Sequence, residues 1–287
     1  KYDQNCTNRI WYKQFGGNNS SSQLESGTVG LVTSDAIYYS GAFAGTLTID
    51  GISVTYSGGT DAFIAKFDLN GVCQWIKHAG GGNGLNGSTG GIVQDSNGNL
   101  YWSIDMDANG SLDSVSLNRG SVLVKLDNFG TILSVTNNLI TGGIIRCLKL
   151  RNDELFFCGY TYNDTTIVGA DTLIGYDNSD CILAKADISG NVIWSKRFGG
   201  KLPYDVAHSF DFDPSGNLFV GGSYKDTMTI DGNTIIHPPT NTDLFIALFD
   251  PNGVNSWLQA LQTTGTTGLN YISYINKDAS GLFYVSG

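Results

Sequence analysis

Short apolar runs, separated by turns rich in Asp, Asn and Gly, follow one another along the whole chain. One kind of run has the form DAFIAKFD (61–68) and recurs at 120–127, 180–187 and 243–250. A second, aromatic-rich kind includes NLYWSI (99–104). Nearly continuous apolar runs of this length, bounded by turn residues, are typical of β-strands that are covered on both faces. The pattern therefore predicts an all-β protein of many short strands.

Tryptophans show that these strands belong to a repeat. Trp11, Trp75, Trp194 and Trp257 are separated by 64, 119 and 63 residues. The long interval spans two repeats, and Ser134 occupies the place of the missing tryptophan. Internal self-similarity with a period of about 60 residues predicts a repeat architecture.

Each repeat predicts four strands. The first precedes a tight turn such as DPSGN (213–217), the second is the aromatic run, the third is the DAFIAKFD type and the fourth carries the tryptophan. In turns such as DPNG (250–253), Asp caps the turn and the last Gly accepts a positive φ. Four-stranded units repeated radially form a β-propeller. We therefore predict an all-β fold, a β-propeller of four-stranded blades.

The repeats define approximate boundaries within a single β-propeller region, residues 1–287. They run over 11–75, 75–134, 134–194 and 194–257, with a partial repeat at 257–287 and the end of a preceding blade at 1–10. Two arrangements fit the incomplete end repeats. Either the chain is a window from a longer array of about six to eight blades, or its ends share one blade that lacks a strand, as a partial ring. Open sheet edges are unfavourable, which supports the window.

The ordered elements W-x-K-x-F-G-G, D-x-x-G-N-L-Y-V-x-G, T-x-T-I-D-G and D-A-F-I-A-K-F-D-x-N-G-x-x-x-W resemble the SBBP-type bacterial β-propeller repeat. The best-matching stretches are 11–75 and 194–257, and the resemblance covers essentially the whole chain. The second repeat lacks the tryptophan, and we expect it to lack the T-x-T-I-D-G element. The resemblance implies an extracytoplasmic bacterial protein, either secreted or on the cell surface. Because the family is defined by its fold, no single activity is implied.

Charge and composition narrow the classes of function. Acidic residues number 26 against 16 basic ones, for a formal net charge of −10, and a chain this acidic repels phosphate backbones. We therefore expect no nucleic-acid partner. No run of 18 apolar residues is present, so we expect no membrane span. The sequence has no G-x-S-x-G, H-E-x-x-H or P-loop motif, and we predict that the protein is not an enzyme.

One loop, DMDANGSLD (105–113), has the pattern of a calcium site. It places oxygen ligands at its odd positions, from Asp105, Asp107, Asn109, Ser111 and Asp113. Hard divalent cations prefer about six to eight such oxygens. The nine-residue form is similar to the calcium loops of integrin-type propeller hairpins, which makes Ca²⁺ the candidate cofactor. The alternative is an Asn-Gly hairpin turn with solvated aspartates.

Cys147 and Cys158 flank the turn RNDE (151–154). If that turn is a two-residue hairpin, the two cysteines lie directly opposite each other on the first and second strands of the third blade, near disulfide distance. Two small buried thiols are the alternative. A disulfide would indicate an oxidising, extracytoplasmic compartment.

Four Asp-Ser/Thr segments, DSV (113–115), DTT (164–166), DTL (171–173) and DTM (226–228), lie in the long connections between second and third strands. They resemble the triplet that some extracytoplasmic bacterial proteins use for O-glycosylation, and the candidate acceptors are Ser114, Thr165, Thr172 and Thr227. Asp followed by Thr is also common in Asp-rich β proteins, so unmodified side chains are the alternative.

A ligand site is expected on the face that carries these long connections. In KLPYDVAH (201–208), Tyr204, Asp205 and His208 are candidates to line a pocket near the propeller axis, and Trp102 is a candidate platform for a sugar. Ordinary core and loop packing is the alternative for all four residues.

These observations favour a function in binding. A rigid scaffold with variable loops suits recognition of a protein or glycan partner, so we expect a secreted or cell-surface, non-catalytic module for protein interaction, adhesion or scaffolding. The alternative is a glycan-binding or glycan-degrading propeller with its site at the axial end of the disc. A flat, polar, uncharged face would favour the first function, and clustered carboxylates beside an aromatic platform would favour the second.

Overall fold

The computed structural model describes residues 7–14, 16–17, 26–81, 88–175, 179–236, 242–261, 271–278 and 280–287. Every regular element within these ranges is a β-strand, as predicted. Among the same residues, no helix is long and apolar enough to cross a membrane. The chain divides into two compact units, 1–137 and 138–287.

The strands of the first unit are two to ten residues long and are separated by short connections. They are β1 (Gly16–Gly17), β2 (Ser26–Val32), β3 (Ile37–Phe43), β4 (Thr46–Ile49), β5 (Ile52–Thr55), β6 (Asp61–Phe67), β7 (Cys73–Gly80), β8 (Ser88–Gln94), β9 (Leu100–Met106), β10 (Gly110–Leu112), β11 (Val115–Leu117), β12 (Gly120–Leu126) and β13 (Ile132–Thr141). The last of these continues into the second unit.

The second unit contains the remaining strands. They are β14 (Gly143–Arg151), β15 (Glu154–Thr161), β16 (Thr165–Val168), β17 (Asp171–Ile174), β18 (Cys181–Asp187), β19 (Val192–Phe198), β20 (Val206–Phe212), β21 (Leu218–Lys225), β22 (Thr227–Ile230), β23 (Asn233–Ile236), β24 (Thr242–Phe249), β25 (Asn255–Leu261), β26 (Tyr274–Lys277) and β27 (Phe283–Ser286).

Four-stranded antiparallel meanders are the repeating unit of the fold. In the first blade β2 pairs with β3, β3 with β6 and β6 with β7. The same order recurs in β8-β9-β12-β13, β14-β15-β18-β19 and β20-β21-β24-β25. β26 and β27 supply the first two strands of a further blade. The prediction of four-stranded blades is confirmed, and the architecture is that of a β-propeller repeat.

The third strand of each blade is largely apolar because both of its faces are covered. All seven residues of β6 are buried. Its alternate side chains enter two different cores, with Ala62 and Ile64 in one and Phe63 and Phe67 in the other. Since successive side chains of a strand point to opposite faces, a strand between two packed layers needs no polar position.

Aspartates cap the tight turns between neighbouring strands. In the turn that joins β6 to β7, Asp68 Oδ1 accepts hydrogen bonds from the N–H groups of Asn70 and Val72, at 2.9 and 2.8 Å. Gly71 has a φ of 84°, which favours glycine. The same carboxylate cap recurs at Asp95, Asp127, Asp187, Asp250 and Asp278. The turn pattern recognised in the sequence therefore has a direct hydrogen-bond basis.

Each long connection between a second and a third strand folds into a small hairpin of its own. We call β4–β5, β10–β11, β16–β17 and β22–β23 the linking hairpins. The T-x-T-I-D-G element forms the first strand and the turn. Asp50 and Gly51 have φ values of 51° and 83°, the two positive values that a type I′ turn requires.

The second repeat lacks the T-x-T-I-D-G residues, as predicted, but it still contains a linking hairpin. Asp113, with a φ of 51°, takes the turn position that Asp50 occupies in the first blade. Leu112 is buried at the position of Ile49. The segment NGSLDS (109–114) thus keeps the physical pattern of T-x-T-I-D-G with different residues.

Candidate functional site

The linking hairpins connect consecutive blades by pairing with the end of the preceding fourth strand. β10 pairs with β7 through Leu112 and Ala79, and β16 pairs with β13 through Val168 and Ile140. β4 pairs with β1 in the same way, and Thr229 of β22 forms an isolated bridge with Gly199. The long connections are therefore structural elements as well as exposed surface.

The glycine pair that follows Trp75 and Trp194 makes this pairing sterically feasible. A Cβ on Gly80 would lie 1.9 Å from Asp61 Oδ1, and a Cβ on Gly81 would lie 2.7 Å from the Gly110 Cα. In the third blade, a Cβ on Gly200 would lie 1.8 Å from the Thr227 carbonyl oxygen. The first glycine leaves room for the aspartate that begins the third strand, and the second leaves room for the hairpin backbone.

The lysine of W-x-K forms an ion pair with the turn aspartate of the next linking hairpin. The pairs are Lys13–Asp50 at 2.6 Å, Lys77–Asp113 at 2.7 Å and Lys196–Asp231. Asp50 also accepts a hydrogen bond from the Cys73 N–H at 2.8 Å. Hydrogen bonds from that N–H and from Lys13 lower the pKa of Asp50. The hairpin turn is thereby bonded both to Lys13, in the segment before the blade, and to Cys73, at the start of β7.

The tryptophan contacts the turn between the third and fourth strands of the following blade. Trp75 Nε1 donates to the Asn128 carbonyl oxygen at 3.3 Å, and a Cβ on Gly130 would lie 3.2 Å from the Trp75 ring. Trp11 donates to Leu69 and Trp194 donates to Pro251, both at 3.2 Å. The tryptophan ring and the glycine of the turn therefore fit together in one contact between successive blades.

The repeat that lost its tryptophan also lost both partners of the ion pair. Ser134 and Thr136 stand in the Trp and Lys slots, and Gly169 stands at the turn position of the linking hairpin. Joint replacement of the Trp and of both ion-pair partners supports their assignment to a single set of contacts.

The residues predicted to bind calcium do not form one loop. Asp105 lies in β9, where it is buried and accepts a hydrogen bond from Ser121. Asn109 Oδ1 accepts a hydrogen bond from the Arg119 N–H at 2.8 Å. Asp107 lies in the bend between β9 and β10.

The other two predicted ligands belong to the linking hairpin. Ser111 is paired with Gly80 in the sheet, and Asp113 is the ion-pair partner of Lys77. Among the residues that the structure describes, no group of three or more His, Cys, Asp or Glu side chains is arranged to hold a metal. The alternative of an Asn-Gly turn is not observed either, because the hairpin turns at Asp113 while Gly110 is paired within β10. Calcium binding stays a prediction.

Trp102 is a core residue and offers no platform for a sugar. Its side chain is fully buried, and its Nε1 donates to Ser40 Oγ at 2.9 Å. The stacking role expected for Trp102 is wrong, because a ring must be exposed on one face to stack on a ligand.

The three candidates in KLPYDVAH have different surroundings. Asp205 is fully buried and accepts hydrogen bonds from the N–H groups of Gly200 and Lys225, so it organises the backbone. Tyr204 is 55% exposed, has a φ of 95° and lies under the Lys225 ammonium. His208 lies 3.2 Å from Ser223 Oγ, and burial lowers the pKa of His208 to about 4. Of the three, Tyr204 is the most exposed, and His208 is half-buried.

Cys147 and Cys158 are directly opposite each other, as the two-residue turn predicts. Asn152 and Asp153 both have positive φ, at 51° and 56°, and they close the hairpin between Arg151 and Glu154. Both cysteines are free thiols in the structure, with Cys147 half-buried and Cys158 buried, and the disulfide stays a prediction.

The candidate O-glycosylation residues are all on linking hairpins. Ser114 is exposed at a hairpin turn, and Thr165 and Thr172 are exposed on β16 and β17. Thr227, at the start of β22, is half-buried. Their placement leaves at least three of the four hydroxyls accessible, and modification stays a prediction.

The outer faces of the linking hairpins are a surface that sequence inspection did not identify. These outer hairpin faces consist of directly paired side chains: Thr46 with Thr55, Thr48 with Ser53, Ser111 with Ser116, Thr165 with Ile174, Ile167 with Thr172, Thr227 with Ile236, and Thr229 with Thr234. Hydroxyl groups hydrogen-bond across three of these pairs, at 3.3, 2.9 and 3.1 Å. None of these side chains is ionisable.

A cavity of about 550 Å³ lies in the second unit beside the hairpin β22–β23. Its lining includes Asp180, Arg197, Lys201, Asp226, Thr227 and Thr229. Arg197 Nε donates to Asp180 Oδ2 at 2.6 Å, and Arg197 Nη1 donates to the carbonyl oxygen of Asp164 at 2.7 Å. The cavity therefore combines a positioned ion pair with hydroxyl groups.

Repeated blades joined by these contacts define a β-propeller repeat protein. Residues 193–223 match the SBBP family, described as a β-propeller repeat. The matched stretch contains Trp194, Lys196 and the glycine pair that contact the next blade. The match confirms the resemblance, and the chain is consistent with an SBBP-type repeat protein. No curated protein matches the chain.

Proposed function

We propose that this chain is a non-catalytic binding module that recognises a protein partner through its outer hairpin faces. The observation that carries the proposal is the repeated exposed surface of uncharged hydroxyl and β-branched side chains. Charged residues are depleted in the cores of protein interfaces because they are costly to desolvate. A short hairpin fixed to two blades is also preorganised, which lowers the entropy lost on binding.

The exposed isoleucines give this surface apolar anchors. Ile174 and Ile236 are 79% and 76% exposed and stand opposite Thr165 and Thr227. Exposed apolar side chains within a neutral polar surface are a common composition for a recognition site. We place the chain outside the cytoplasm, secreted or on the cell surface, as the SBBP resemblance implies.

Charge insertion tests this proposal. The purified chain is first screened on protein and glycan arrays, and Ile236→Lys is then compared with Phe129→Lys, a control at a turn residue that is 77% exposed and lies outside the linking hairpins. We expect Ile236→Lys to abolish binding to the protein hit, and Phe129→Lys to preserve it. If Ile236→Lys binds the protein hit as well as Phe129→Lys does, the outer hairpin faces are not the binding surface.

A glycan-binding or glycan-degrading function is the second candidate, and the cavity in the second unit favours it. Thr227 and Thr229 supply hydroxyl groups beside Lys201 and Asp226, a mixture suited to a polar sugar. The glycan array and a screen for polysaccharide hydrolysis test this function. Loss of a glycan hit in Asp226→Asn would support it, and cleavage of any polysaccharide would refute the non-catalytic function.

A further inference from the structure

Cys147 and Cys158 form a pair of thiols that the proposed binding function does not use. They are Cα partners across β14 and β15, immediately after a bulge between Ile145 and Cys147. Cys158 belongs to the hydrophobic core of the second unit, and Cys147 packs against the same core. Directly opposite residues on antiparallel strands have the Cβ separation that a disulfide needs.

This pair is specific to the third blade. The bulge recurs in every complete blade, and the pairs that follow it are Val29 with Ser40, Gly91 with Ser103, and Ser209 with Gly221. Small residues at these positions are compatible with the close approach of the next blade. Sulfur on both strands is therefore not needed to build the bulge.

The two thiols differ in access and in acidity. Cys147 is half-buried, whereas Cys158 is fully buried and directs its thiol to the Ala207 carbonyl oxygen at 3.6 Å. The neighbouring Cys158 thiol lowers the pKa of Cys147 to about 7, and nearby Lys149 acts in the same direction. Burial raises the pKa of Cys158. Because the thiolate is the attacking species, Cys147 is suited to react first.

We propose that Cys147 and Cys158 are a thiol–disulfide exchange site whose substrate is a small-molecule disulfide. The Cys147 thiolate attacks one sulfur of the small disulfide, forms a mixed disulfide and releases the first small thiol. Cys158 then loses its proton, attacks the Cys147 sulfur and releases the second small thiol. Two electrons pass from the protein to the small disulfide, and the product is a cross-strand bond within the third blade.

Oxidised glutathione is the probe that tests this inference. The starting variant carries Cys6→Ser and Cys73→Ser, so that only Cys147, Cys158 and Cys181 remain. Intact mass after incubation should show the loss of two hydrogens, and peptide mapping should recover one cross-linked peptide with Cys147 and Cys158. Dithiothreitol should restore the original mass, and the oxidised form should melt at a higher temperature.

Single variants in this background separate the roles of the two thiols. With Cys158→Ser, Cys147 should retain one glutathione as a stable mixed disulfide, and Cys158→Ala should do the same. With Cys147→Ser, no adduct should form, because Cys158 is buried. Cys181→Ser, from the same core, should behave like the background. An unchanged mass in the background, or a two-hydrogen loss that persists in Cys147→Ser, would overturn the inference, whether or not the binding function holds.

Discussion

Replacing Trp194 with Ala should show how much one inter-blade contact contributes to stability. Trp194 is half-buried, donates to the Pro251 carbonyl oxygen at 3.2 Å and packs against Gly253. A fully buried aromatic-to-Ala change costs about 3–5 kcal/mol, so a half-buried ring should cost about 2 kcal/mol. The lost hydrogen bond adds about 1 kcal/mol. We expect the free energy of unfolding to fall by about 3 kcal/mol in a urea titration.

Trp257→Ala is the matched control because Trp257 occupies the same position of the next blade. Trp257 is 40% exposed, and its indole ring stacks on the Phe219 ring. We expect a loss of about 1 kcal/mol for this variant. Trp194→Phe, which keeps a ring but not the donor, should lose about 1 kcal/mol. Equal losses for Trp194→Ala and Trp257→Ala would show that the turn of the following blade contributes nothing.

Three further predictions concern the hairpins and the charges. Gly200→Ala would place a Cβ 1.8 Å from the Thr227 carbonyl oxygen and should lower the melting temperature by several degrees in calorimetry, whereas Gly30→Ala, with its nearest atoms at 3.8 Å, should have little effect. Because the folded state lowers the pKa of His208 from 6.5 to about 4, stability should decline as pH falls through that window, and His208→Gln should flatten the decline in pH-dependent melting curves. If the predicted calcium site forms, calcium should raise the melting temperature of the natural chain relative to chelator and leave that of Asp107→Ala unchanged; equal melting temperatures with calcium and chelator would refute the calcium hypothesis.

Sequence periodicity was sufficient to predict the strands and the blades. The DAFIAKFD pattern matches β6 closely, since a strand between two cores is apolar at most of its positions. The same physics explains the error at Trp102. In a strand buried on both faces, an aromatic ring in the core and one available to a ligand have the same local pattern, so only the packed structure distinguishes them.

The linking hairpins were harder to predict because their sequence varies while their physical pattern does not. NGSLDS (109–114) retains a buried apolar residue, a turn aspartate and exposed hydroxyls, but shares few letters with T-x-T-I-D-G. Searching for identical residues missed it. The partners of the tryptophans and lysines lie about 35–58 residues further along the chain, and no local pattern indicates such contacts.

The contact between successive blades has a polarity that bears on how such chains are lengthened. Every complete set places the tryptophan, lysine and glycine pair at the end of one blade and their turn, aspartate and hairpin in the next blade. A repeat that carries both halves can be copied in tandem, and each new copy meets its neighbour through contacts already encoded. Segments grafted between such chains should therefore be cut at equivalent positions of two repeats. Every tryptophan, lysine and glycine pair then keeps a matching turn, aspartate and hairpin. Ser134 and Gly169 show that the two halves can also be lost together.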